Sequence, residues 1–236
     1  MTDETSKTHN GDPQTLSRLF EGQFIHLLAL CALIGATAAV AQLPQMTQGE
    51  LWGLTATTWL WIALGSAVAH QVYVWAVWRA ELHYEAVTRL LGAKGFRIFQ
   101  LIFAVLGLSR FSIVALAVAN RDQLAIPAFL RWPMAVLFIV LAGYLFYSVI
   151  RYFGFDRAAG LDHFDTDIRD APLVDQGIFR FTSNGMYIYG FLILWVPGLI
   201  LQSPAALVAA GFQHLYIWVH YFCTEKPDME FIYGDD

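Results

Sequence analysis

Long apolar stretches dictate what this chain can fold into. Residues 24–43 carry no charged side chain and have His26 near their start. Residues 52–78 are apolar apart from a face bearing Ser66, His70 and Gln71, and 98–119 are interrupted by Ser109 and Arg110. A fourth stretch, 134–155, has Arg151 close to its end. Crossing about 30 Å of hydrocarbon takes roughly 20 apolar residues as a helix, so each of these predicts one span. The last stretch, 186–223, is too long for one crossing, and Pro197-Gly198 and Gln202-Ser203-Pro204 divide it into two helices with a very tight connection. The expected fold is all-α, an integral membrane bundle of about six transmembrane helices ending in a helical hairpin.

Composition agrees. Hydrophobic residues make up 57% and charged residues 14%, against about 25% charged in soluble domains. Disorder, a coiled coil and most water-soluble enzymes are thereby excluded. The net charge of −5 argues against a nucleic-acid partner. Two cysteines cannot make a disulfide framework, and Cys31 and Cys223 read as small buried hydrophobes. Ala39-Val40-Ala41 resembles a signal-peptidase site, but the polar lead of 23 residues is long and the apolar run is of full membrane length. A retained span is favoured.

Lys and Arg set orientation. With the N-terminus inside, Arg121 and Arg131 are the basic residues outside, Arg110 lies within a span, and the remainder of the 14 fall on inner segments. The reading is a polar N-terminal segment (1–23, its first 20 residues expected to be disordered), three N-terminal spans (24–133), and a core of three spans with a cytosolic tail (134–236). The two longest connections, 79–97 and 156–185, then face the cytosol with both termini, so polar chemistry is expected on that side.

The C-terminal third carries the strongest signal. It runs from Gly177 through Arg180, Asn184, Gly185, Tyr187 and Gly190 into the hairpin, and closes with His220, Tyr221, Phe222, Glu225, Lys226, Asp228 and Glu230. A tight hairpin returns its second end to the surface it left, which predicts an apolar-walled pocket there. Glu225 suits a ligand ammonium, and Asn184 with the free N–H groups near Gly185 suits a carboxylate. The rings of Tyr187, Tyr189, Tyr221 and Phe222 suit a sulfonium or quaternary ammonium. An ammonium, a carboxylate and a sulfonium together describe S-adenosylmethionine.

These blocks resemble the membrane phospholipid methyltransferase and isoprenylcysteine carboxyl methyltransferase superfamily over roughly residues 140–234. They are closest to the phosphatidylethanolamine N-methyltransferase branch, which has Asn where the prenylcysteine branch has His. The resemblance implies S-adenosylmethionine as cofactor and a membrane lipid amine as acceptor. It implies that Arg180, Asn184, Tyr187 and Gly190 shape the mouth of the cofactor site, that Glu225 binds the amino-acid end, and that Glu230 holds the tail or helps at the reacting centre. Gly143 and Gly154 lie where the branch places a glycine-containing cofactor motif, without a clean G-x-G. Gly185 departs from the usual Pro, and Lys226 from a second acid. The proton leaving the acceptor could go to Glu225, Glu230 or His220.

Other readings stand beside this one. The acceptor could be a small thiol or a carboxylate. The tail acids could be a solvated surface, and Asn184-Gly185 a plain turn pair. His70 and His214 each lie 8 residues from the inner end of their spans, a depth at which two imidazoles could clamp a haem in a b-type electron carrier. Asp162, His163, Asp165, Asp167 and Asp170 read as solvated loop charge, with a divalent metal site or an amine-attracting mouth as the alternative. Arg110 could bind a lipid phosphate or pair with a neighbouring helix. Glu81, His83 and Glu85 read as surface groups.

Overall fold

The computed structural model describes residues 17–170 and 174–234. The expected disorder of the N-terminal segment falls, for residues 1–16, outside the described residues, as does the side chain of Asp170. The all-α membrane bundle is what forms. Its principal helices are α1 (Gln23–Val40), α2 (Ala56–Tyr84), α3 (Gly95–Ser109), α4 (Ser112–Ala119), α5 (Ala128–Ser148), α6 (Gly185–Tyr189), α7 (Trp195–Ile200), α8 (Pro204–His220) and α9 (Lys226–Tyr233). A two-residue hairpin, β1 (Glu50–Leu51) with β2 (Leu54–Thr55), pairs antiparallel in the loop before α2.

Four helical segments are long and apolar enough to cross a membrane: Ser17–Val40, Ala56–Tyr84, Ala86–Ala119 and Ala128–Phe153. The hairpin arms are shorter. Residues 185–200 and the 17-residue α8 span about 24 and 26 Å at ~1.5 Å per residue. Gln213, His214 and His220 make α8 too polar to face lipid, and it lies at the centre of the bundle. Its Ala205, Ala206, Ala209 and Ala210 are fully buried against Leu60, Ala63, Leu64 and Ala67 of α2 and Ile113, Leu116 and Ala117 of α4. Small side chains let helix backbones approach closely, which is how helices associate where lipid removes the hydrophobic drive. The bulky residues Leu101, Val105 and Leu108 of α3 face outward instead. So does Cys31, which is exposed rather than buried as expected, whereas Cys223 is buried.

The connections depart from expectation in three places. Residues 79–97 are not a loop: α2 continues to Tyr84, Glu85 turns the chain in the left-handed region at φ 52°, and a new helix starts at Ala86. Glu81 is buried there and accepts the backbone N–H groups of Val87 (2.8 Å) and Thr88 (3.0 Å), capping that helix instead of facing water. Pro197-Gly198 does not break the hairpin either, because α7 runs through both and the chain turns at 201–203. A Cβ on Gly198 would stand 2.8 Å from Leu207 Cδ2, so the glycine lets the two arms touch. Finally, α3 and α4 are separated by a kink at Arg110–Phe111.

Two polar knots tie the ends of the bundle. At one end Asn120, fully buried, donates to the carbonyls of Gln45 and Gln48 (both 2.9 Å) and accepts from Ser203 Oγ (2.9 Å) and Ala205 N (3.0 Å). At the other end Arg79 Nε donates to Asp228 Oδ1 at 2.9 Å, with both side chains buried. The rest of its guanidinium donates to the carbonyls of Arg18, Leu19 and Glu21 before α1, and of Cys223 and Thr224 after α8. Two residues of the expected solvated acidic loop join this second knot, whereas Asp165 and Asp167 are exposed as expected. His163 is buried, stacks on Trp78 at 4.3 Å and places Nε2 3.4 Å from Asp228 Oδ2. Asp162, also buried, accepts from Tyr233 Oη at 2.7 Å.

Candidate functional site

A cavity of about 320 Å³ lies between α2, α3, α5 and the hairpin. Its walls are apolar, supplied by Val74, Phe103, Leu145, Val149, Phe191, Leu194 and Ile217 among others. Phe111, Phe146 and Phe155 line it while remaining well exposed on the outer surface of the helices, so the cavity is open on that side. Polar groups are few. Some belong to the helices at the end of α8, and others come from the middle of α2 and the α3–α4 kink.

The first group is built by a local distortion. After His220 the helix widens into a π-turn over Tyr221–Glu225 before continuing as α9. In such a turn residues five apart stack, so His220 and Glu225 both reach the cavity, as they would not in a regular α-helix. The carbonyls in this turn are taken up from outside: Cys223 O accepts from Gln23 Nε2 (3.1 Å) as well as from Arg79. Tyr187, at the start of the hairpin, donates its hydroxyl to Glu225 Oε2. Burial, with Asp228 and Asp162 nearby, pushes the Glu225 carboxyl up to about 8. His220 is almost fully buried, flanked by the rings of His26 (6.1 Å) and Trp78 (6.0 Å), and neither ring nitrogen has a hydrogen-bond partner among the described residues.

The second group centres on Arg110, which is buried at the kink. Its Nε donates to His70 Nδ1 at 2.9 Å and its Nη1 to Gln213 Oε1 at 3.4 Å, and the guanidinium lies 5.3 Å from the centre of the Phe191 ring. It pairs with neighbouring helices, one of the two readings its sequence position allowed.

Of the residues singled out from sequence, Tyr187, Gly190, His220 and Glu225 converge on the cavity, and His70, Gln71 and Arg110 line it as well. Gly190 allows the hairpin to pack on α5, because a Cβ there would sit 2.8 Å from Leu145 Cδ2. The others lie elsewhere. Arg180 is exposed on the turn Gly177–Arg180. Asn184 starts α6, its carbonyl accepting from Tyr187 N and Ile188 N (both 3.1 Å). Glu230 is exposed, 3.7 Å from Lys226 Nζ, and lines a separate surface groove with Arg18 and Phe231. Gly143 is on the exposed face of α5, and Gly154 forms the turn that follows α5 at φ 88°. His70 and His214 do not form a haem clamp: His214 accepts from Trp195 Nε1 at 3.2 Å, packs on Phe191 and does not line the cavity that His70 lines. Trp78 and Phe103 had no distinguishing sequence signal, since each looks like an ordinary span residue, and Gln71 was marked only as part of the polar face of its span.

The fold and cavity define an integral membrane protein with an apolar-walled cavity open on one side. Residues 130–236, from α5 through the hairpin to the tail, match the model of the phospholipid methyltransferase family. The resemblance to that superfamily is borne out over this segment, and α1 to α4, which supply His70 and Arg110, lie outside it. Neither a curated protein nor a solved structure matches the chain.

Proposed function

We propose that the protein transfers a methyl group from S-adenosylmethionine to a membrane phospholipid amine such as phosphatidylethanolamine. The observation that carries this reading is the pairing of a half-buried carboxylate, Glu225 held by Tyr187, with an otherwise apolar cavity inside the segment that matches the family. The residues present fit the cofactor. Glu225 offers a counter-charge for its ammonium, Tyr187 and Trp78 offer ring faces for its sulfonium, and about 320 Å³ is within the range of ligand sites. When bound, the cofactor supplies a methyl group activated for displacement. The chain supplies orientation and a water-poor site, which together can contribute roughly 7–11 kcal/mol.

An ammonium acceptor must lose a proton before it can attack. His220, in the cavity and with ring nitrogens that have no partner among the described residues, is the group we assign to accept it, since Glu230 is exposed outside the cavity. The lateral opening at Phe111, Phe146 and Phe155 favours a lipid acceptor over a small thiol or carboxylate, because acyl chains can stay in the membrane while the headgroup enters. The distribution of Lys and Arg supports placing both termini and the Glu225 end of the cavity on the cytosolic side.

The test is calorimetric titration of S-adenosylmethionine into detergent-purified protein, followed by mass spectrometry of added phosphatidylethanolamine. Saturable binding, weakened in Glu225→Gln, and a mono-methylated lipid are expected. Folded protein that binds no cofactor would overturn the reading, and methylation of a thiol or carboxylate in place of the amine would overturn the acceptor.

A further inference from the structure

Arg110 is out of keeping with its surroundings. It sits in a span, buried, beside His70 at the midpoint of α2. A charge there is costly unless it is compensated. The partners it has are neutral: one imidazole nitrogen, one amide oxygen and one ring face. No carboxylate pairs with it among the described residues. Among the described residues its Nη2 has no hydrogen-bond partner, and the same holds for His70 Nε2. Because His70 Nδ1 accepts from Arg110, a neutral His70 carries its proton on Nε2, which makes that atom a second unused donor. Both side chains line the cavity. Holding the kink in place explains the bonds from Nε and Nη1 but leaves these two donors without a purpose.

We propose that Arg110 Nη2 and His70 Nε2 form an oxyanion subsite that takes the phosphodiester of the lipid headgroup whose amine is methylated. The identification of that lipid as methyl acceptor rests on the proposed function; the subsite itself does not. Two uncommitted N–H donors, one of them on a guanidinium, suit the oxygens of a phosphate, and the apolar walls strengthen such bonds. Gln213, which accepts from Arg110, lies 12 residues before Glu225 along one helix, about 18 Å. The anion is thus held at a distance from the carboxylate that takes the cofactor's ammonium, with His220 between them in sequence. These donors come from the N-terminal spans, so acceptor recognition is contributed by the part of the chain outside the family match.

The experiment uses full-length protein in an uncharged detergent, with short-chain phosphatidylethanolamine, the matching diacylglycerol and inorganic phosphate as separate probes. Binding is read by calorimetry without cofactor, and S-adenosylmethionine affinity is measured in parallel. Wild-type protein should bind the phospholipid about tenfold or more tighter than the diacylglycerol, the worth of one charge-assisted hydrogen bond. Arg110→Met should remove that preference while leaving cofactor affinity within about twofold. Should Arg110→Met fail to fold, Arg110→Lys retains the charge, lacks the Nη2 donor, and should still lose most of the preference. No preference in the wild type, or a full preference in Arg110→Lys, overturns the subsite. Inorganic phosphate binding as tightly as the phospholipid overturns the lipid as the source of the anion. Absent cofactor binding with the Arg110-dependent preference intact overturns the methyltransferase reading and leaves the subsite standing.

Discussion

On the proposed function, Glu225 as the partner of the cofactor's ammonium would tie cofactor binding to protons, and the coupling has a sign and a size. Its carboxyl is pushed from 4.5 up to about 8, chiefly by burial and then by Asp228 and Asp162. At about pH 7 roughly one site in eleven therefore carries the carboxylate that a ligand ammonium needs. Apparent affinity for S-adenosylmethionine should rise about tenfold between about pH 6 and pH 7 and level off near pH 8, where the ligand's own α-amino group begins to deprotonate. Binding at about pH 7 should release close to 0.9 proton, read by calorimetry in buffers of different ionisation enthalpy. In the unliganded protein the folded state holds this proton more tightly than the unfolded chain does. The stabilisation is complete below about pH 4.5 and is lost as pH rises toward 8, so thermal stability should fall across that window and Glu225→Gln should flatten the fall. An affinity that does not change between about pH 6 and pH 7, with no proton released, would refute the assignment of Glu225 to the ligand's ammonium.

The two knots make further predictions. Arg79→Met leaves Asp228 buried without its ion pair and strips five backbone carbonyls of a donor. Loss of about 3–5 kcal/mol is expected in thermal or denaturant unfolding, and adding Asp228→Leu should recover part of it. Asn120→Ala removes four hydrogen bonds that join the loop before α2, the end of α4 and the hairpin turn. A loss of about 3 kcal/mol and faster proteolysis within 41–55 should follow, without change in cofactor affinity.

The class of fold was legible because membrane crossing is a local property. A run of apolar residues such as 24–43 spans the hydrocarbon whatever else the chain does. Half of the candidate site was legible for a related reason: Tyr187, Gly190, His220 and Glu225 lie in contiguous blocks joined by a hairpin whose tight turn forces its ends together. Arg180 and Glu230 come from the same blocks yet are exposed, Arg180 on the turn before α6 and Glu230 on the outer side of α9. The π-turn that rotates Glu225 inward has no sequence signature of its own. Arg79 and Gln23, from distant helices, bond the carbonyls of that turn.

What the sequence determined by itself, then, was the solvent this protein lives in, its helical class and the chemistry of its C-terminal blocks, since hydropathy and short-range spacing are written residue by residue. Tertiary structure alone decided that Asp162 and His163 are buried in a clamp, that Glu81 caps a helix, and that Arg110 meets His70 across 40 positions of chain with donors to spare. Whether a charge is solvated, paired or left waiting for a ligand depends on what packs around it. That is set by helices far apart in the chain.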